Sequence, residues 1–360
     1  MTLPLSGPPP GLRRTGLLRS LPQYGALAAV LLANWLLFPD FFSIRLQDGR
    51  LFGSLIDVLN RGAPVALLAI GMTMVIATRG IDLSVGAVMA IAGAVAATMT
   101  QAGWGLPAVL AASLGAGLLC GLWNGLLVAL LRIQPIIATL ILMVAGRGVA
   151  QLITEGQIVT FVSPGLAAIG SGSFLTVPMP VVITAALLAV TALLVRATAL
   201  GLMIEAVGVN RLSSAGAGVN TPVVLVAVYV WCGLCAAVAG VIVTADIRGA
   251  DVNNAGLWLE LDAILAVVIG GTSLLGGRFG LLLSVVGAAI IQAMNTGILL
   301  SGFKPEFNLI VKAAVLLAVL LLQSPVLTLL LPRPKGARPV SAPLKPAIQP
   351  AKRESGSVKP

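Results

Sequence analysis

The sequence predicts an all-α, polytopic membrane protein with about ten transmembrane helices, and three observations predict it. Hydrophobic stretches close to the ~20 residues that a helix needs to cross ~30 Å of hydrocarbon follow one another from Tyr24 to Leu331. Of the 360 residues, 58% are apolar and 9% charged, with a mean hydropathy of +1.05, which leaves no room for a folded soluble domain. Backbone amides at membrane depth have no water to bond, so the long uncharged runs read as helices, and any break between helices becomes a candidate working part.

In chain order, residues 1–23 are expected to form a cytoplasmic N-terminal arm mixing Pro, Gly and Arg. Arg13, Arg14 and Arg19 precede an apolar run in the manner of a signal peptide, but no small-residue cleavage site follows Phe38, so the run reads as an uncleaved first helix. Hydropathy then places a transmembrane domain at 24–331, with spans at 24–38, 58–78, 83–100, 106–130, 134–153, 179–195, 223–245, 261–275, 280–300 and 308–331. Residues 332–360, rich in Pro, Lys and Ser, read as a disordered basic cytoplasmic tail. Connections longer than a simple turn fall at 154–178 and 246–260 outside and at 196–222 inside, and a soluble partner has to meet the chain there.

The charge pattern sets the orientation. A cytoplasmic N-terminus assigns Arg13, Arg14, Arg19, Arg79, Arg132, Arg196, Arg211, Arg278 and the tail to the inside, against Arg45, Arg50, Arg61, Arg248 and Lys304 outside. The net charge of +10 therefore speaks for a lipid bilayer and not for nucleic acid, which requires clustered cations with polar or aromatic interleaving. There is no histidine, and Cys120, Cys232 and Cys235 lack the company of further ligands, so no metal, cofactor or catalytic constellation is expected. The chain reads as a non-enzyme.

Polar interruptions single out three segments. At Thr78 to Gly86 charged residues interrupt an apolar stretch; Gly80 is expected to provide the turn, and Asp82 and Ser84 to cap the next helix. Two readings stand for it: a tight cytoplasmic hairpin, or a helix break beside a translocation route. At Gly270 to Arg278 the pairs Gly270-Gly271 and Gly276-Gly277 flank hydroxyl residues, suiting close helix packing or a hinge. This is no nucleotide loop, since such a loop needs G-x-x-x-x-G-K-[ST] and no lysine precedes Lys304. Energy must come from a partner or an ion gradient. An echo between the stretches beginning at Ala66 and Ala263, each span, glycine break and span, is compatible with internal duplication or with chance. The third segment is the inner connection, where a short helix around Met203 to Val207 precedes the small residues Ser213 to Gly218.

These segments carry a resemblance. Gly80 to Gly86 (G-I-D-L-S-V-G), Glu205 to Asn210 (E-A-V-G-V-N) and Gly270 to Arg278 (G-G-T-S-L-L-G-G-R) resemble the permeases of bacterial carbohydrate ABC importers of the ribose and xylose type, over about 300 residues from near Leu46. Leu46 to Ser54, Asp246 to Asp251 and Met294 to Phe303 are similar to the galactofuranose branch of that family.

The resemblance implies a multi-pass protein of the bacterial inner membrane that forms the pathway for a monosaccharide, galactofuranose foremost. Implied partners are a cytoplasmic ABC ATPase, a periplasmic sugar-binding protein and a second permease chain, identical or related. Residues 201–218 become the coupling segment, with Gly201, Glu205, Ala206, Gly208, Asn210 and Gly218 as its positions. Gly80, Asp82, Ser84, Gly86, Gly270, Gly271, Gly276 and Gly277 become break or hinge positions. Amides and hydroxyls suit a neutral sugar, which makes Asn60, Thr78, Asn124, Gln134, Gln151, Gln292, Asn295 and Thr296 pathway candidates, with helix-to-helix hydrogen bonding as the competing role. An ion-coupled secondary sugar transporter is the alternative. It would have to work with Asp57, Asp82, Glu155, Glu260 and Asp262 near span ends and with Arg147 and Lys312 inside spans.

Overall fold

The computed structural model describes residues 15–47 and 49–302, together with positions 304, 307, 309–314 and 317. The expected tail and most of the last expected span lie outside the described residues. The long helices are α1 (Thr15–Leu37), α2 (Ser54–Ala77), α3 (Val85–Gln101), α4 (Leu106–Ala129) and α5 (Pro135–Ile153). After the short α6 (Pro164–Ser171) come α7 (Met179–Ala197), α8 (Leu200–Val209), α9 (Arg211–Gly216), α10 (Thr221–Ile247), α11 (Leu259–Ile269) and α12 (Leu281–Leu300). Three antiparallel strand pairs tie down loops: β1 (Arg45–Gln47) with β2 (Arg50–Phe52), β3 (Val159–Thr160) with β6 (Gly249–Ala250), and β4 (Ser173–Phe174) with β5 (Val177–Pro178).

Among the described residues, seven helices are long and apolar enough to cross a membrane: α1, α2, α4, α5, α7, α10 and α12. The expected count of about ten differs from this number, and one expected span is cut short for a physical reason. The expected span 261–275 is only the 11-residue α11, because Gly270 ends it and Gly271 turns at φ +85°. The expected span 83–100 is the 17-residue α3, preceded by the non-helical stretch 78–84. That stretch climbs beside α10, from Tyr229, next to Gly80, towards Gly240, next to Met89. The N-terminal ends of α3 and α11 meet there, with Gly86 and Gly256 in backbone contact. Irregular backbone at that depth is tolerated because protein covers it. At the other end, α1 begins at Thr15, ahead of the expected Tyr24, and continues through Pro22; a membrane helix tolerates the one lost bond.

The interior is built on α2, buried continuously from Gly62 to Ala77, and on α10, which packs against α4, α2 and α3. By contrast α4, α5 and α7 keep apolar residues such as Leu119, Val144 and Leu193 exposed, the mark of helices facing lipid or another chain. The α4 and α10 pair is set by glycine spacing: Gly117, Gly121 and Gly125 form one stripe, and a Cβ on Gly121 would lie 2.8 Å from Val230 Cα. Without a hydrophobic drive between helices in lipid, such close backbone approach supplies the packing. Gly121→Val is expected to cost about 1–3 kcal/mol through overpacking, read as a lower melting temperature of the purified chain.

Candidate functional site

Three groups of side chains stand out, and the first lies where α2 ends. Helix α2 ends with orphan carbonyls that need donors. The amide of Gly277 donates to Ala77 O at 2.9 Å, and the Arg211 guanidinium donates to Thr78 O at 3.1 Å. Arg79, left-handed at φ 63°, turns the chain and reaches both neighbours: its Nε donates to Leu275 O and its Nη2 to Val209 O, each at 2.7 Å. Arg79, not Gly80, takes the left-handed conformation. Gly80 is needed for space, since a Cβ there would sit 2.5 Å from the Tyr229 hydroxyl oxygen.

Helix α8 is seated on this junction. Gly201, Ile204, Val207 and Gly208 face the protein, at the spacing of one helical stripe. Gly208 rests against Ala77 O, and a Cβ there would also come within 2.6 Å of Gly277 N. The opposite side carries exposed Leu202 and Val209, and Leu212 on α9 is 86% exposed. Glu205 and Ala206 are half-buried between the two faces. Asn210 caps α9, its Oδ1 accepting from Ser213 N at 3.0 Å, and Gly218 ends the segment at φ +90°. Of the small residues that follow α8, Ser213 to Gly216 are helical, in α9.

The second group is the buried break at Asp82. Its Oδ1 accepts from Ser84 N at 2.9 Å, Ser84 Oγ at 2.6 Å and Asn124 Nδ2 at 3.4 Å; Asn124 Nδ2 also donates to Ser84 Oγ at 2.8 Å. Asp82, Ser84 and Asn124 are each at most 2% exposed. The capping expectation fails here: neither side chain accepts from the first turn of α3, because the carboxylate is spent on Ser84 and α4. Protein covers Asp82 and Ser84 at this break, and Gly80 lies against Tyr229 of α10. Gly86 and Gly270 serve close packing, against Gly256 O and against the Leu283 backbone, while Gly271, Gly276 and Gly277 all turn at positive φ.

The third group lies at the opposite end of α2. Asn60 and Arg61 on α2, Gln292 on α12 and Asp246 on α10 line a cavity of about 310 Å³. A neighbouring cavity of about 240 Å³ adds Asp57, Asn295 and Thr296, and another of about 200 Å³ is rimmed by Ser173 and Arg50. The β1–β2 hairpin holds this rim: Arg50 Nη1 donates to Ser171 O at 2.7 Å and Leu51 N to Thr176 O at 3.2 Å. Of the pathway candidates, Asn60, Gln292, Asn295 and Thr296 come together here. The others do not: Thr78 is buried at the Arg79 junction, Asn124 belongs to the Asp82 network, Gln134 is exposed at the start of α5, and Gln151 donates to Asn253 Oδ1 at 2.8 Å. Sequence reasoning passed over Arg61 and Asp246 in this cavity and Arg79 and Arg211 at the junction. The signal was their place at span ends, which reads equally well as solvated loop.

A family model described as "Branched-chain amino acid transport system / permease component" matches residues 54–320. The chain is 69% identical over 304 residues to the galactofuranose transporter permease protein of Escherichia coli (strain K12), covering 84% of this chain and 89% of that protein. It is 42% identical to the fructose import permease protein of Bifidobacterium longum (strain NCC 2705), over 79% of this chain and 82% of the relative. The ribose import permease protein of E. coli (strain K12) is 37% identical, over 80% and 88%. No solved structure matches the chain.

Proposed function

Because the chain belongs to the permease component family of branched-chain amino acid transport systems, and its relatives import sugars, we propose that it is the transmembrane permease subunit of an ATP-driven importer for galactofuranose. It works in the bacterial inner membrane. One observation carries the mechanism: the three segments far apart in sequence that hold the motifs, near residues 80, 205 and 275, bond to one another at the Arg79 junction.

That junction joins α8 to the end of α2 and to the loop before α12, and the opposite ends of α2 and α12 line the polar cavities. An ATPase engaging the exposed Leu202, Val209 and Leu212 face from the cytoplasm pushes on α8. Arg79 and the Gly277 to Ala77 bond pass the movement to α2 and to the break before α12. The outer cavities then change shape, provided that the ATPase contacts differ between its open and closed states. A periplasmic binding protein delivers the sugar from the other side, and a second permease chain completes the pathway. Asp82 and Glu205 act here by position: one fixes the break, the other lines the cleft of about 780 Å³ between α7, α8 and α12.

Proteoliposomes holding the chain, its ATPase and the sugar-loaded binding protein are expected to accumulate sugar only with ATP. Leu202→Asp is expected to weaken ATPase binding by about tenfold or more, because a charge replaces an apolar contact worth over ~1.4 kcal/mol. Accumulation that follows a proton or sodium gradient and ignores ATP overturns the proposal in favour of ion coupling.

A further inference from the structure

We propose that the outer cavity between α2, α10 and α12 is a sugar-binding subsite of the permease itself, in which Arg61 and Asp246 read the solute's hydroxyls alongside Asn60 and Gln292. The proposal deepens the reading of the chain as a sugar permease and rests on it.

The argument begins with unsatisfied chemistry. Asn60 Oδ1 and Asn295 Oδ1 are buried with no hydrogen-bond partner among the described residues, and both belong to residues lining these adjoining cavities. A buried carbonyl oxygen without a donor costs roughly 1–3 kcal/mol, so it is kept where something transient supplies the donor. The lining also mixes signs. Asp57 and Asp246 are balanced by Arg50 and Arg61, so the cavity field selects neither cations nor anions. What fits is a neutral solute able to donate and accept at many points: a carboxylate accepts from neighbouring hydroxyls, a guanidinium donates to ring and hydroxyl oxygens, and amides do both. A monosaccharide has that chemistry. Pro64, Pro180 and Ile242 give the same cavity an apolar wall for a sugar's C–H face.

The position supports the assignment. The cavity is bounded by Gly170, whose α6 helix packs on Asp246 so closely that a Cβ would lie 2.6 Å from Asp246 Cα, and the cavity of about 200 Å³ that shares Asn60, Gly170 and Asp246 with it is rimmed by the β4–β5 hairpin. Asp246 is thereby fixed at its backbone while its side chain stays exposed to the cavity. The floor is made by Asn60, Arg61 and Gln292, on the two helices that the Arg79 junction connects to α8. A subsite there releases its solute when those helices move.

The test uses Ser173→Cys, which places a thiol on the rim, in the full chain with Cys120→Ser and reconstituted in nanodiscs. Labelling by a small impermeant thiosulfonate is timed with and without D-ribose, or D-galactose equilibrated with its furanose form. A sugar present at about twice its Kd slows labelling about threefold, since the free fraction falls as 1 + [L]/Kd. Adding Asp246→Asn or Arg61→Gln is expected to remove that protection, and Asp246→Glu to restore part of it. The ribose to galactose protection ratio is expected to shift in Asp246→Glu, which a purely structural role for the residue does not cause. Absence of protection in the parent protein overturns the subsite, as does protection by leucine but not by sugar. Transport failure is read separately: protection without ATP-driven uptake keeps the subsite and removes the importer reading.

Discussion

Gly208→Val is expected to abolish ATP-driven uptake while leaving the chain in the membrane. The added Cβ lands on Ala77 O and within 2.6 Å of Gly277 N, and all of these neighbours are backbone, which cannot swing aside. Helix α8 has to lift off the end of α2, and the Arg79 bond to Val209 O is lost with it. Overpacking of this kind costs about 1–3 kcal/mol, which corresponds to a 5- to 150-fold change in a coupling equilibrium. The readout is the dependence of ATP hydrolysis on loaded binding protein, together with uptake in the same vesicles. Gly208→Ala places the same Cβ against this backbone and is expected to weaken uptake as well, with valine's two further methyl groups adding to the clash. Uptake unchanged in Gly208→Val would remove α8 from the transmission path.

The second large effect concerns the buried ion pair. Lys312 Nζ lies 2.7 Å from Asp262 Oδ2, with side chains 17% and 5% exposed. It ties the segment after α12 to α11, the short helix that starts against α3. Removing one partner leaves an uncompensated buried charge, so Lys312→Met is expected to destabilise by about 3–5 kcal/mol. The double variant Asp262→Leu/Lys312→Met is expected to recover most of that loss, because an apolar pair of similar volume suits the site equally well. Thermal unfolding of the four proteins of the double-mutant cycle measures it. A double variant no more stable than the single one would show that the pair does more than neutralise charge. The same pair bears on ion coupling, because Asp262 already has its cation in Lys312.

Much of the fold was legible because hydropathy is a local property. Each stretch of apolar residues names a helix wherever its neighbours sit, and α2, α4, α5, α7, α10 and α12 fall within a few residues of their expected places. The expected span 83–100 also falls within two residues of α3, and among the described residues only 261–275 is cut short, because Gly270 ends α11 and Gly271 turns at positive φ. Periodicity cannot separate a buried extended segment from a buried helix.

The candidate site divides in the same way. The motifs singled out positions 80–86, 205–210 and 270–278. Their mutual contact was not readable: Arg79 lies 196 residues before Leu275 and 130 before Val209. The Asn124 side chain shows the same limit. It was a pathway candidate with helix-to-helix hydrogen bonding as the competing role, and it bonds Ser84, 40 residues earlier.

What the sequence determined by itself is the solvent, the rough extent of most helical runs and the lack of a nucleotide loop. These follow from transfer free energies and charge counts, which sum over neighbouring residues. Only the tertiary structure decided that Asp82 is a satisfied interior group and that three distant glycine and arginine segments form one junction. It also decided that Asp246 and Arg61 share a cavity. Those outcomes depend on which helices approach within a few ångströms, and helix approach in lipid is set by side-chain shape across pairs remote in sequence.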